Sequence, residues 1–253
     1  MTVDLHYVED GPREAPAVVL SGALGSTVEM WGPNVAPLAA HFRVVRIDHR
    51  GHGRSPVPEP PYRMADLAED VLALLDRLGL EQVHWCGLSL GGMVGMYLAS
   101  EHPDRIGRLV LCCTTAYFEN RQAWTDRIAA VRSGGTASVA DQVVSRWFTP
   151  GYAAEHPEAV AKARDWIANT PDAGYIGCCE AIESWDHRSR LGSIKAATLV
   201  IGGSADQSTP VEPYGRTLAE TIPGARFEVL DGAHLVTTER ADEVNTLILD
   251  HLR

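Results

Sequence analysis

Six short strand-like runs punctuate the chain: Ala17–Leu20, Phe42–Ile47, Val83–Cys86, Arg108–Cys113, Thr198–Ile201 and Arg226–Leu230. Rich in Val, Ile and Leu, they suit strands buried on both faces, as in a parallel sheet. Helical patterns lie between them. Met64–Leu78 carries Leu67, Val71, Leu74, Leu75 and Leu78 on one stripe and stops at Gly79, a residue fitted to the left-handed helix end. Leu90–Glu101 is a second helix, closed by His102-Pro103, and Ala241–Leu252 is the last. Strands alternating with helices predict an α/β fold with a mostly parallel central sheet, flanking helices and right-handed crossovers.

From about Thr115 to Leu191 the alternation fails. No core strand is legible there, only helical segments around Asn120–Arg132, Ser138–Trp147, Pro157–Asn169 and Asp172–Trp185, with four of the six tryptophans: Trp124, Trp147, Trp166 and Trp185. Because the strand pattern resumes afterwards, a helical cap (lid) over residues 115–191, inserted into a core of residues 1–114 and 192–253, is expected rather than a second independent domain. The Pro-rich stretch Pro56–Pro61 reads as a surface loop.

Gly87-Leu88-Ser89-Leu90-Gly91 follows one predicted strand and opens one predicted helix. A strand–turn–helix of this form is a nucleophile elbow: the flanking glycines relieve a turn too tight for side chains, and the serine hydroxyl stays exposed above the helix N-terminus. Such a hydroxyl needs a base. In elbow enzymes the chain order is serine, acid, histidine. Beyond the helical insertion only His234 and His251 remain. His234 sits in a strand-end loop, Asp231-Gly232-Ala233-His234, and is the expected base; His251, near the end of the last helix, is expected to be solvated. Asp206, in Gly202-Gly203-Ser204-Ala205-Asp206 after another strand, is the expected acid, with Asp231 as the alternative. Acyl transfer also requires oxyanion donors. The backbone N–H of Leu90 is one, and that of Leu24, in the loop Ser21–Gly25, is the second candidate.

His49 and His52, in Asp48-His49-Arg50-Gly51-His52-Gly53-Arg54-Ser55, are spaced like metal ligands but lack a carboxylate–histidine partner set, so a structural turn is favoured. The five cysteines show no zinc-ligand spacing, and Cys86, Cys112 and Cys113 read as reduced core thiols. No metal or organic cofactor is called for. A net charge of −11 disfavours nucleic acid and acidic membrane surfaces as partners, so an anionic substrate would need a local positive site. There is no secretory-signal pattern at the N-terminus and no run of about eighteen apolar residues, so no membrane partner and a cytoplasmic location are expected.

Together, the Asp48–Ser55 run, the elbow Cys86-Gly87-Leu88-Ser89-Leu90-Gly91-Gly92 and the placement of Asp206 and His234 resemble the α/β-hydrolases over essentially the whole chain. Within them the chain is similar to the 3-oxoadipate enol-lactonases. That similarity is carried by Leu20–Ser26, His84–Ser89, Leu109–Thr114, Arg146-Trp147-Phe148-Thr149 and Gly174–Ile182. It departs after the base, where Leu235-Val236-Thr237 stands in place of the Leu-Ser-Asn common in that family, and near Gly22, where the family often has a polar residue. Some relatives are fused to a carboxymuconolactone decarboxylase; here the chain ends just after its last helix, and no fused partner is expected.

The resemblance implies a small lactone or ester substrate. Ser89 would attack the lactone carbonyl, the Leu24 and Leu90 amides would hold the oxyanion, and His234 would protonate the departing enol oxygen and then activate water. It also implies a cation for the substrate carboxylate, for which Arg146, beside Trp147, is the candidate; Trp147 is either a cavity wall or packing. Another ester, lactone or carbon–carbon bond hydrolase on the same fold, and a ligand-binding receptor, are the alternatives. Dehalogenases and epoxide hydrolases are disfavoured because they place Asp at the elbow.

Overall fold

A computed structural model describes residues 1–253. Seven strands form one sheet in the order β1-β3-β2-β4-β5-β6-β7. They are β1 (Tyr7–Asp10), β2 (Ala17–Ser21), β3 (Arg43–Ile47), β4 (Val83–Leu88), β5 (Ile106–Cys112), β6 (Ala197–Gly203) and β7 (Arg226–Leu230). Every neighbouring pair is parallel except β1 with β3. The sheet is therefore mostly parallel, as the alternation predicts. β1 was not foreseen: Tyr-Val-Glu-Asp is half polar, half-buried and at the sheet edge, where an apolar run is not required.

The core helices are α1 (Gly32–Ala39), α2 (Met64–Arg77), α3 (Leu90–Glu101), α9 (Arg216–Thr221), α10 (Val236–Glu239) and α11 (Ala241–Leu252), with α4 to α8 between β5 and β6. α2 buries Leu67, Val71, Leu74 and Leu75 of the expected stripe, while Leu78, the residue just past its end, is half-buried and the following Gly79 has φ +68°. α3 is buried nearly all round. Its glycines permit that. A Cβ at Gly95 would lie 2.4 Å from the Trp85 ring, and Trp85 Nε1 donates to Gly91 O at 2.9 Å, so α3 lies close against β4 below the elbow.

The insertion comprises α4 (Gln122–Gly134), α5 (Ala137–Val144), α6 (Pro150–Glu155), α7 (Pro157–Ala168) and α8 (Asp172–Glu183). α6, of six residues, was not anticipated. The chain leaves and re-enters the core at one place. Tyr117 bridges Asp186, His187 N–H donates to Ala116 O (2.7 Å), and Trp185 Nε1 donates to Thr115 O (2.9 Å). α8 then presses on the core through small residues: an added Cβ at Gly174 would lie 2.4 Å from Gly51 Cα, and one at Gly177 would lie 2.5 Å from the Tyr62 ring.

His251 is buried, not solvated as its terminal position suggests. Its Nε2 lies 3.0 Å from Ala197 O, and burial holds its pKa below the ordinary value. All five cysteines are buried free thiols. No helix is long and apolar enough to cross a membrane.

Candidate active site

The elbow is a conformational demand met by three residues. Ser89 has φ 56° and ψ −113°, a strained backbone for a residue with a Cβ. Added Cβ atoms at Gly87 and Gly91 would fall 2.2 Å from Gly91 O and 2.0 Å from Ser21 O, so only glycine fits either place. Hydrogen bonds hold the turn: Ser89 N–H to Cys112 O (3.0 Å), Thr114 Oγ1 to Ser89 O (2.7 Å) and Gly91 N–H to Gly22 O (3.0 Å). The last of these ties α3 to the loop after β2.

That loop presents Leu24. Gly25 N–H donates to His52 Nε2 (2.8 Å) and Ser26 N–H to Ala23 O (3.0 Å), whereas the Leu24 amide makes no bond within the protein. Leu90, first residue of α3, likewise has no intrahelical acceptor for its amide. The histidines read as a turn therefore brace this loop from behind. His52 Nδ1 lies 3.1 Å from Arg50 O, which makes Nδ1 the protonated nitrogen and leaves Nε2 to accept from Gly25. His49 Nε2 reaches Ser21 Oγ (3.1 Å) and Gly22 O (3.3 Å). Burial keeps both neutral: it pushes His49 down to about 3, assisted by repulsion from His52, and lowers His52.

Asp206 and His234 come from the loops after β6 and β7. Gly203 lets these loops touch, since a Cβ there would lie 2.4 Å from Ala233 O, and Ala205 N–H donates to Gly232 O (2.9 Å). His234 Nδ1 lies 2.9 Å from Asp206 Oδ2, and both residues are buried. The other acceptor sites of Asp206 are filled as well. Oδ1 receives Ser208 N–H (2.7 Å) and Thr209 N–H (3.1 Å), and Oδ2 also receives Thr209 Oγ1 (2.7 Å). Burial alone would raise this carboxyl's pKa. The attraction of His234 and the hydrogen bonds from His234 and Thr209 outweigh it, so the group lies below its ordinary value and stays ionised. Asp231, the alternative acid, is on the surface, within reach of Ser204 and Arg240.

Ser89, Leu24 and His234 line one cavity of about 280 Å³. Ser89 and His234 share its wall without a hydrogen bond between them. An unliganded site often leaves that contact to form with substrate. The facing wall comes from the inserted helices and includes Trp124, Arg127, Arg146 and Trp147. The sequence reading named Arg146 and Trp147 and missed Arg127. One turn from Trp124 on α4, Arg127 carries its guanidinium 4.9 Å above that indole, and the i,i+3 spacing was the available signal. Neither Arg127 nor Arg146 pairs with a carboxylate. In a chain of net charge −11 they make the cavity locally positive. Trp147 is almost fully buried, and its carbonyl accepts Leu235 N–H at 2.9 Å.

Cys113, Asp206 and His234 offer three ligand-type atoms within 4.8 Å of one another. The Asp206 oxygens are already occupied. Burial, and then the Asp206 charge, push the Cys113 thiol pKa well up, so the trio is a poor cation cage.

A family model for the alpha/beta hydrolase fold matches residues 16–241. The chain belongs to that family. The hydrolase is 37% identical to a 3-oxoadipate enol-lactonase of Acinetobacter baylyi over 96% of this chain and 91% of the relative. It is 32% identical to a putative carbamate hydrolase, RutD, of Variovorax paradoxus, over 98% and 96% of the two chains. Among solved structures it is similar to the enol-lactonase from Burkholderia xenovorans LB400, with a TM-score of 0.96, 42% identity, and coverage of 99% of this chain and 96% of that one. These likenesses support a hydrolase of lactonase type, with carbamate hydrolases also among its relatives, and leave the individual substrate to the chemistry of the cavity.

Proposed function

We propose that this hydrolase opens the ring of 3-oxoadipate enol-lactone to give 3-oxoadipate, as a cytoplasmic step in aromatic-compound breakdown, with residues 115–191 as its lid. The observation that carries the reading is the joint lining of one cavity by Ser89 of the elbow, by His234 with Asp206 hydrogen-bonded behind it, and by two arginines that pair with no carboxylate. His234 Nε2 takes the Ser89 proton as Oγ attacks the lactone carbonyl. The Leu24 and Leu90 amides receive the oxyanion. Collapse breaks the ring C–O bond, and the enol oxygen leaves with the proton from His234. Ketonisation of that enol makes the step hard to reverse. Water, deprotonated by His234, then attacks the acyl-enzyme, and 3-oxoadipate leaves with Ser89 restored. Asp206 holds the imidazole tautomer and stabilises the imidazolium throughout. The substrate carboxylate sits between Arg127 and Arg146, where a guanidinium–carboxylate contact is strong because the cavity partly excludes water.

The carbamate hydrolase relatives favour a second reading, attack on a carbamate carbonyl by the same machinery. One experiment separates them. Enol-lactone generated in situ from muconolactone, a carbamate and p-nitrophenyl acetate are compared by kcat/KM, with Ser89 titrated by a serine-reactive phosphonate. The proposal expects the enol-lactone to lead by at least about 100-fold, well within the roughly 10⁴- to 10⁵-fold that a site built to bind a polar group can reach. Turnover of the neutral ester alone would assign a general esterase, and phosphonate bound elsewhere than Ser89 would remove the nucleophile from the reading.

A further inference from the structure

We infer that Glu239 is a positioning residue that makes the working placement of His234 depend on the seating of the inserted helices. Its carboxylate stands between the loop carrying His234 and the segment that follows the cavity-wall tryptophan. One oxygen, Oε1, accepts Thr149 N–H (2.6 Å) and Thr149 Oγ1 (2.9 Å). The other, Oε2, accepts the N–H of Ala233, the residue just before His234. Beside this clamp, Leu235 N–H donates to Trp147 O at 2.9 Å. The residues on either side of His234 are thus each bonded to the insertion, one directly and one through Glu239.

Three donors converge on this one side chain, and only a carboxylate presents acceptors on both sides. A glutamine offers one acceptor oxygen and would turn an NH2 toward an N–H on the other side. Glu239 closes α10, a single turn of four residues, and all three of its donors come from outside that turn. Thr149 caps α6, with Tyr152 N–H donating to its Oγ1 at 3.3 Å, so the insertion side of the clamp is itself anchored to a helix start. When the insertion shifts, Thr149 and the Trp147 carbonyl move with it. The His234 loop then loses the two bonds that brace it from the insertion side.

The inference rests on His234 acting as base, and the test distinguishes the two. Glu239→Gln, Thr149→Val, Thr149→Ser and the double variant Glu239→Gln/Thr149→Val are compared with His234→Ala on p-nitrophenyl acetate, with active sites counted by phosphonate titration. Glu239→Gln is expected to lower kcat per titrated site by about 10- to 100-fold, the range seen when a group orienting a functional histidine is lost, with KM changed less than about threefold. Thr149→Val should lose about threefold or more, Thr149→Ser should restore full kcat, and the double variant should be no worse than Glu239→Gln alone, as residues acting through one network do. A merely structural Glu239 would lower the titratable fraction and leave kcat per site unchanged. That result in folded Glu239→Gln overturns the inference. Should that variant not fold, full kcat in Thr149→Val does the same. An active His234→Ala removes the base assignment and the inference with it. An inactive His234→Ala beside a normal Glu239→Gln removes the inference alone.

Discussion

The cavity has two walls of different construction. On the sheet side, Ser89, Leu24 and the Asp206–His234 pair stand at strand ends and are fixed by backbone bonds, by glycines with no room for a Cβ, and by buried neutral histidines behind the loop. On the insertion side, Trp124, Arg127 and Arg146 are half-buried and reach the cavity as side chains from helices or their ends. The first wall tolerates almost no change of atom position. The second tolerates exchange of side chains, because each contributes through its tip rather than through the path of the chain. Under the proposed function, reaction chemistry falls to the first and choice of substrate to the second.

The sharpest way to break this contrast is at Gly91. Gly91→Ala drives a methyl group into Ser21 O, 2.0 Å away, and must shift α3 or the loop after β2. Since a displacement of about 1 Å at reacting groups can cost 100-fold, kcat on any substrate should fall by at least that factor, with a lower melting temperature in calorimetry. Near-normal turnover would mean that the sheet-side wall yields. On the other wall, Arg127→Met and Arg146→Met should each raise KM for the anionic lactone about tenfold, leave kcat within about threefold, and not affect p-nitrophenyl acetate. Equal losses on the neutral ester would merge the two walls into one. The smallest effect concerns pH. His49, held near 3 by burial, and His187, held near 4 chiefly by burial, refuse protons that the unfolded chain accepts from about 6.5 downward. Their contribution to stability is present above pH 6.5 and is lost as pH falls toward those values. The melting temperature should therefore decline continuously from pH 6.5 to 4, and His187→Gln should flatten part of the slope.

The same division decided what the sequence disclosed. The sheet-side wall was legible because each part obeys a local rule: glycine on both sides of Ser89, and an acid and a histidine each just past an apolar run. Leu24 followed from its place after β2. The insertion announced its helices and little else. Arg127 stands out only once α4 faces the cavity, and Glu239 means nothing until Thr149 arrives from 90 residues away. β1 escaped because an edge strand needs no apolar run. His251 was misplaced because its burial depends on how α11 packs near the start of β6, a tertiary fact outside its own segment.

The neck of the insertion has a consequence for how such molecules diversify. Tyr117 and Asp186 are joined by a single bridge, the residues around them are bonded to each other, and His187 is further held to the core by Ser100 Oγ at 2.7 Å from its Nε2. The span between them leaves and returns through one gate, so its two ends meet beside the paired strands β5 and β6. A graft of that span from a relative would bring a new ceiling over an old furnace, provided it also carries a threonine to meet Glu239.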